Sequence, residues 1–201
     1  MRVFIALMIV GLTGCVPPFS EMQSAATLGS DKNEITVFTS RVDWEDPDDS
    51  GHLQNHIGVL GGVGLTPWLD VRARWERIQV EGVDEAEEVI ALGPKLALIP
   101  EKLAIYLPVG FQIQSNIYWE LHPSLIGSVA ITPWLELTAS GKALIFLSSD
   151  SDPWYAANLG AGLGNFSKWV IRPEVGVLTQ PGSDNRYYHV SLGVSLRRIG
   201  G

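Results

Sequence analysis

Apolar and polar residues alternate along most of this chain, in stretches of about ten residues separated by turn signals. Leu69-Asp70-Val71-Arg72-Ala73-Arg74-Trp75-Glu76 shows the pattern most plainly, with Leu, Val, Ala and Trp at one parity and Asp, Arg, Arg and Glu at the other. Successive side chains of a strand point to opposite faces, so this segment makes a ribbon with one apolar and one ionic face. The same reading predicts strands near 34–44, 56–66, 68–80, 88–99, 103–114, 120–132, 134–147, 154–164, 169–178 and 187–197. Such stretches exceed the soluble norm of about 5–6 residues and suit a tilted crossing of a bilayer, which takes roughly 9–11.

The connectors alternate in character. Thr66-Pro67-Trp68, Pro100-Glu101-Lys102, Thr132-Pro133-Trp134 and Asn165-Phe166-Ser167-Lys168 read as tight turns, whereas 45–55, 81–87, 115–119, 148–153 and 179–186 are longer and polar. Short turns on one side, long loops on the other and an even strand number predict an all-β, up-and-down antiparallel transmembrane β-barrel of about ten strands. Eight strands is the alternative count. Gly64-Leu-Thr-Pro-Trp-Leu-Asp-Val71 is repeated as Ala130-Ile-Thr-Pro-Trp-Leu-Glu-Leu137. The repeat reads as one turn built twice, with duplication of a multi-strand unit as the other explanation.

A soluble barrel alternates too, with its apolar face inward. Three features favour the opposite polarity. Trp68, Trp134 and Trp169 fall toward the short turns, and Trp44, Trp75, Trp119 and Trp154 toward the loops, as two interfacial girdles would require. Glycines such as Gly58, Gly62, Gly64, Gly93, Gly110, Gly160, Gly176 and Gly193 concentrate on the less apolar face, where a crowded interior explains them. The strands are also long. On this reading the interior holds Arg41, Asp43, Asp70, Arg72, Arg74, Glu76, Lys95, Glu136, Lys142, Arg172, Glu174 and Arg197. Cations and acids are mixed, and buried charges persist only when paired, so the lumen is expected to be an ionic plug rather than an open channel. Pro94, Pro108, Pro123 and Pro173 fall inside these strands and predict bulges or breaks.

The N-terminus adds an address. Met1-Arg2 precedes an apolar run from Val3 to Leu12, too short to span a membrane, and then Leu12-Thr13-Gly14-Cys15. This segment resembles a bacterial lipoprotein signal peptide with its lipobox. The resemblance implies cleavage after residue 14 and lipid attachment at Cys15, the one cysteine of the chain. Val16 rather than Asp at the next position implies sorting to the outer membrane. Residues 15–33 are then expected to form a lipid anchor and flexible tether, and 34–201 the barrel, with both termini periplasmic. Residues 34–197 resemble small barrels of the OmpA/OmpX type in architecture alone, and the chain ends Arg198-Ile199-Gly200-Gly201 where such barrels commonly end in an aromatic residue.

A net charge of −8 argues against a nucleic-acid partner. Outer-membrane lipid and lipopolysaccharide are the expected partners. Divalent cations at the acidic loops are a further one, with Asp46, Asp48 and Asp49 as a calcium candidate. No cofactor is expected. His122-Pro123-Ser124 with Glu136 resembles the His-x-Ser and downstream Glu of lipid A deacylases, although Leu125 stands where that family has asparagine. A hairpin turning at Pro133-Trp134 would separate His122 from Glu136 by the length of the barrel. His52 and His56, beside Glu45, Asp46, Asp48 and Asp49, suggest a metal or protease-like cluster, or merely a solvated loop. The reading is therefore a lipid-anchored barrel with a structural or surface-interaction role. A narrow passive pore is the alternative, and an outer-leaflet lipid A acyl hydrolase the second.

Overall fold

The computed structural model describes residues 17–113, 117–147 and 152–199. Strands β1 (Lys32–Glu45), β2 (Ser50–Thr66), β3 (Leu69–Val80) and β4 (Glu87–Ile99) are followed by β5 (Leu103–Tyr106), β6 (Val109–Ile113), β7 (Ile117–Leu121) and β8 (Ser124–Thr132). Next come β9 (Leu135–Phe146), β10 (Trp154–Asn165), β11 (Trp169–Thr179) and β12 (Arg186–Ile199). Pro108 and Pro123 explain why there are twelve segments. Each interrupts one stave without shifting its register: β5 and β6 both pair with β4, and β7 and β8 both pair with β9. Twelve segments thus make ten staves, each antiparallel to its neighbours, and β12 pairs with β1 to close the barrel. Pro94 and Pro173 lie within continuous strands.

The tight turns gather at one rim, called here the turn end, and the longer connectors at the other, the loop end. Three of the four register shifts fall just before tight turns, at Gly64/Thr66, Ala97/Ile99 and Ala130/Thr132. At both copies of the repeat the threonine hydroxyl accepts the tryptophan amide, Trp68 to Thr66 at 3.2 Å and Trp134 to Thr132 at 3.3 Å. One turn has been built twice.

Polarity is inverted relative to a soluble protein. Ile35, Val37, Ile57, Leu92, Leu125, Val129, Leu159, Val190 and Leu192 point away from the axis and are exposed, while Asp70, Arg72, Glu76 and Lys95 are buried inside. The glycines face inward where the lumen is full: a Cβ at Gly62 would meet the Arg72 side chain, and one at Gly176 would meet Asn158 and His189.

Two boundaries differ from expectation. The connector expected at 45–55 shrinks to residues 46–49, because β2 begins at Ser50, and β7 begins inside the expected 115–119 loop. The larger difference concerns the expected tether. The signal and lipobox residues lie outside the described residues, but 17–28 run through the barrel, with Phe19, Met22, Ala25 and Leu28 buried. These four recur at every third residue, a spacing that neither the helical nor the strand template detects. Met22, at φ 56°, interrupts the regularity.

Candidate functional site in the barrel lumen

A lone extended chain inside a barrel has no ladder, so its peptide groups need other partners. Here the wall supplies them, sorted by charge. Cations take the carbonyls: Lys95 Nζ donates to Ser24 O at 2.6 Å and Ala26 O at 2.7 Å, and Arg74 Nη1 and Lys142 Nζ both donate to Ser20 O, at 2.7 and 3.0 Å. Carboxylates take the amides: Glu174 accepts from Glu21 N and Met22 N at 2.7 and 3.0 Å, and Asp70 from Leu28 N at 2.9 Å. Asn158 donates to Phe19 O, and Ser128 Oγ accepts from Ala25 N. Charge-assisted bonds of this kind are the stronger ones, so the segment is held as a plug.

Apolar contacts fix its height. Phe19 packs with Val42, Leu144, Ala156 and Leu178 near the loop end, with Leu53, Trp154 and Tyr187 against that cluster. Met22 joins Phe38 and Leu60, and Ala25 joins Ala104, Tyr106 and Ile126. At the turn end the plug backbone meets the wall backbone, where Asp31 N donates to Gly64 O at 3.2 Å. A Cβ on Gly64 would lie 1.9 Å from Gly29 O, so only glycine fits. We expect Gly64→Val to force the plug off that wall and destabilise the barrel by about 1–3 kcal/mol, the usual cost of overpacking. Gly61→Val, whose nearest neighbour would be 4.0 Å away, is the control and should leave the unfolding midpoint unchanged.

Between these anchors the wall pairs its own charges. Glu34 is a hub: Arg72 Nη1 lies 2.7 Å and Arg197 Nε 2.5 Å from its carboxylate, with Arg172 at 3.8 Å. Arg72 also bridges to Asp70 at 2.9 Å, and Arg172 approaches Glu136 at 3.9 Å. Higher up, Arg74 and His56 share Glu76, at 2.6 and 2.5 Å, and the Arg74 guanidinium lies over the Phe38 ring. Glu21 of the plug pairs with Lys142 at 3.1 Å.

Of the interior charges expected from sequence, Asp70, Arg72, Arg74, Glu76, Lys95, Glu136, Lys142, Arg172 and Glu174 are buried in the lumen, and Arg197 is nearly so. Arg41 and Asp43 are corrections. On β1 the buried parity is Glu34, Thr36, Phe38, Ser40 and Val42, so Arg41 turns outward and pairs with Asp43 at 3.0 Å on the exposed side. The parity was ambiguous because both faces of β1 mix apolar and polar residues. Glu34, His56, Glu120, His122 and His189 are lumen groups that the sequence reading missed. Parity alone, carried from Asp70 and Arg72 across the β2–β3 hairpin, could have found His56 opposite Ile78.

Trp68, Trp119, Trp134 and Trp169 are exposed on the outer wall, and Trp75 faces outward with its indole donating to Glu88. Trp44 and Trp154 do not join them. Trp44 stands opposite Tyr187 on the lumen side of the loop-end mouth, and Trp154 packs on Tyr187 with ring centroids 5.4 Å apart. Their distance from the strand end was legible, their face was not.

The enzyme-like constellation is dispersed. His122 pairs with Glu120 at 2.6 Å, and Ser124 donates to the His122 carbonyl rather than to the ring. Glu136 stands opposite Ala130, whereas Ser124 stands opposite Lys142, which puts Glu136 about 20 Å along the stave from Ser124. His52 and His56 are also parted: the register shift at Val42/Asp43 leaves His52 outside with Asp43, while His56 is in the lumen. Asp46 Oδ1 accepts the amides of Asp48 and Asp49, at 2.8 and 2.7 Å, as the cap of a loop. Among the described residues no group of three His, Cys, Asp or Glu is arranged to hold a metal ion.

No family model matches this sequence, and no curated protein resembles it. Solved structures of barrels are among those similar to it. The outer membrane protease OmpT from Escherichia coli superposes with a TM-score of 0.48 at 10% identity, over 87% of this chain and 100% of the other. The translocator domain of the autotransporter NalP from Neisseria meningitidis gives 0.47 at 9% identity, covering 84% and 88%. Ail, the attachment invasion locus protein of Yersinia pestis, gives 0.41 at 9% identity, covering 84% and 99%.

Proposed function

We propose that this chain is a lipid-anchored outer-membrane β-barrel, closed by its own N-terminal segment, with a structural or surface-interaction role. One observation carries the reading: the wall is apolar outside and ionic inside, and the ionic interior is filled. An apolar belt around the whole circumference far exceeds the few hundred Å² that soluble monomers leave exposed, and a bilayer covers it. Closure of the barrel satisfies every stave's neighbours in a medium without water. Exposed Trp68, Trp134 and Trp169 at the turn end and Trp119 toward the loop end suit the two headgroup layers. The lipobox supplies the anchor at Cys15.

The function follows from what the lumen does not offer. A path blocked by Phe19, Met22 and Ala25, each packed on the wall, does not conduct ions. The purified protein should therefore be silent in planar bilayers and yield no deacylated product from lipid A. Steady single-channel conductance would overturn the closed reading, and released fatty acid the non-enzymatic one. Cys15→Ser should leave an uncleaved, unacylated precursor by mass spectrometry, whereas normal processing of that variant would remove the anchor. A pore is the second reading, favoured by one feature: the plug is held by hydrogen bonds and packing, which a ligand or partner could exchange.

A further inference from the structure

The plug has a direction, and the direction reverses the expected topology. Its early residue Phe19 sits among Val42, Leu144 and Leu178, next to the strand ends that carry the longer loops. Its late residues reach the opposite rim: Thr27 Oγ1 donates to Pro67 O in a tight turn, and Leu28 N to Asp70 at the start of β3. From Phe19 to Leu28 the chain can reach at most about 30 Å, enough to cross a bilayer core. The chain then turns at Gly29 to Asp31 and enters β1 from the turn end, beside the last strand, where Lys32 pairs with Ile199. The ten staves return the chain to its starting side. The plug adds an eleventh crossing, so the two ends of the described chain lie on opposite faces of the barrel.

We propose that the N-terminus of the mature protein is threaded through its own lumen to the loop side of the membrane, and that the acyl chains on Cys15 are rooted in the outer leaflet at the cell surface. This rests on the outer-membrane and lipobox readings above, with the long loops facing out. Pro17 lies two residues before Phe19, which is already packed beside the loop-end strand ends, so the described chain begins on the loop side. The partner is thereby defined chemically as the lipid of the outer leaflet. Periplasmic anchoring would require residues 17–28 to leave the lumen. That would strip Lys95 of its bonds to Ser24 and Ala26, and Glu174 of its bonds to Glu21 and Met22.

The test uses the full-length protein in intact cells. A short hydrophilic epitope is inserted between Val16 and Pro17, and the same epitope is placed in separate variants between Asp184 and Asn185 at the loop end and between Pro100 and Glu101 at the turn end. Threading predicts that the N-terminal epitope binds antibody on unpermeabilised cells as the 184 epitope does. Detection only after permeabilisation, as for the turn-end epitope, would overturn it. Should the insertion block assembly, V16K with a membrane-impermeant amine reagent gives the same answer. S183K is then the exposed reference, and Lys102 and Lys168 report leakage from the turn end. Mass spectrometry of the N-terminal peptide from the same cells separates the two ideas. An accessible N-terminus with unmodified Cys15 sinks the anchor and keeps the threading, while an acylated Cys15 that no reagent reaches sinks the threading and keeps the anchor.

Discussion

Deleting residues 17–30 should turn a silent barrel into a conducting one and lower its unfolding temperature. The segment occupies the axis, and withdrawing it leaves a path with roughly the cross-section of an extended peptide, about 5 by 10 Å. That path would be lined by Arg74, Lys95, Lys142, Asp70 and Glu174, each of which bonds the plug. Charges along a pore wall hold water, so conduction follows directly from the loss. The stability effect has the same cause. Leaving one buried charge without its partner costs about 3–5 kcal/mol, and several lose partners here, although water entering the vacated lumen offsets part of that. Conductance in planar bilayers measures the first effect and the heat at which the compact band disappears on a gel measures the second. Adding a peptide of residues 17–30 from the loop side should restore closure. A deletion variant that folds and stays silent would mean that wall side chains close the barrel alone.

That last outcome is what the sequence suggested. The strands were legible because a wall between lipid and lumen demands strict alternation, and Leu69 to Glu76 or Trp169 to Gly176 obey it. The ionic lumen was legible for the same reason, since Asp70, Arg72 and Arg74 share a parity with nothing apolar among them. On β1 the rule weakens: Phe38 and Val42 face in while Arg41 faces out. Phe38 is inward because the plug's Met22 and the Arg74 guanidinium pack on it. The plug itself was hidden. Its peptide groups are satisfied by side chains more than 40 residues away, such as Glu174 and Lys95, and no local pattern encodes such partners. Its signature, apolar residues at 19, 22, 25 and 28, belongs to neither of the regular periods. The mixed cations and acids on the wall pair with one another, and they also replace the backbone ladder that the plug lacks.

Glu34→Gln should destabilise the barrel by about 3–5 kcal/mol, more than any other single removal of a wall acid. Its carboxylate is contacted by Arg72, Arg172 and Arg197, from three different staves, and its side chain is 1% exposed. Glutamine keeps the shape and removes the charge, which leaves three guanidinium groups facing one another. Asp70 and Glu136 remain beside Arg72 and Arg172, so the lumen keeps two of its other links. Asp43→Asn is the comparison. It breaks the ion pair with Arg41, but those side chains are 45% and 59% exposed, so water screens the pair and the midpoint should barely move. Thermal and urea midpoints of the two variants, measured in the same detergent, separate these values. Equal midpoints would mean that water reaches Glu34 and screens it, and the lower lumen would then be solvated rather than sealed. Combining Glu34→Gln with Arg172→Gln sharpens the test. Removing one of the three stranded cations relieves repulsion, so the double variant should lose less stability than the sum of the single changes. Strict additivity would show that the three arginines do not act on one another through Glu34, and that the hub is a crowding of side chains rather than an electrostatic unit.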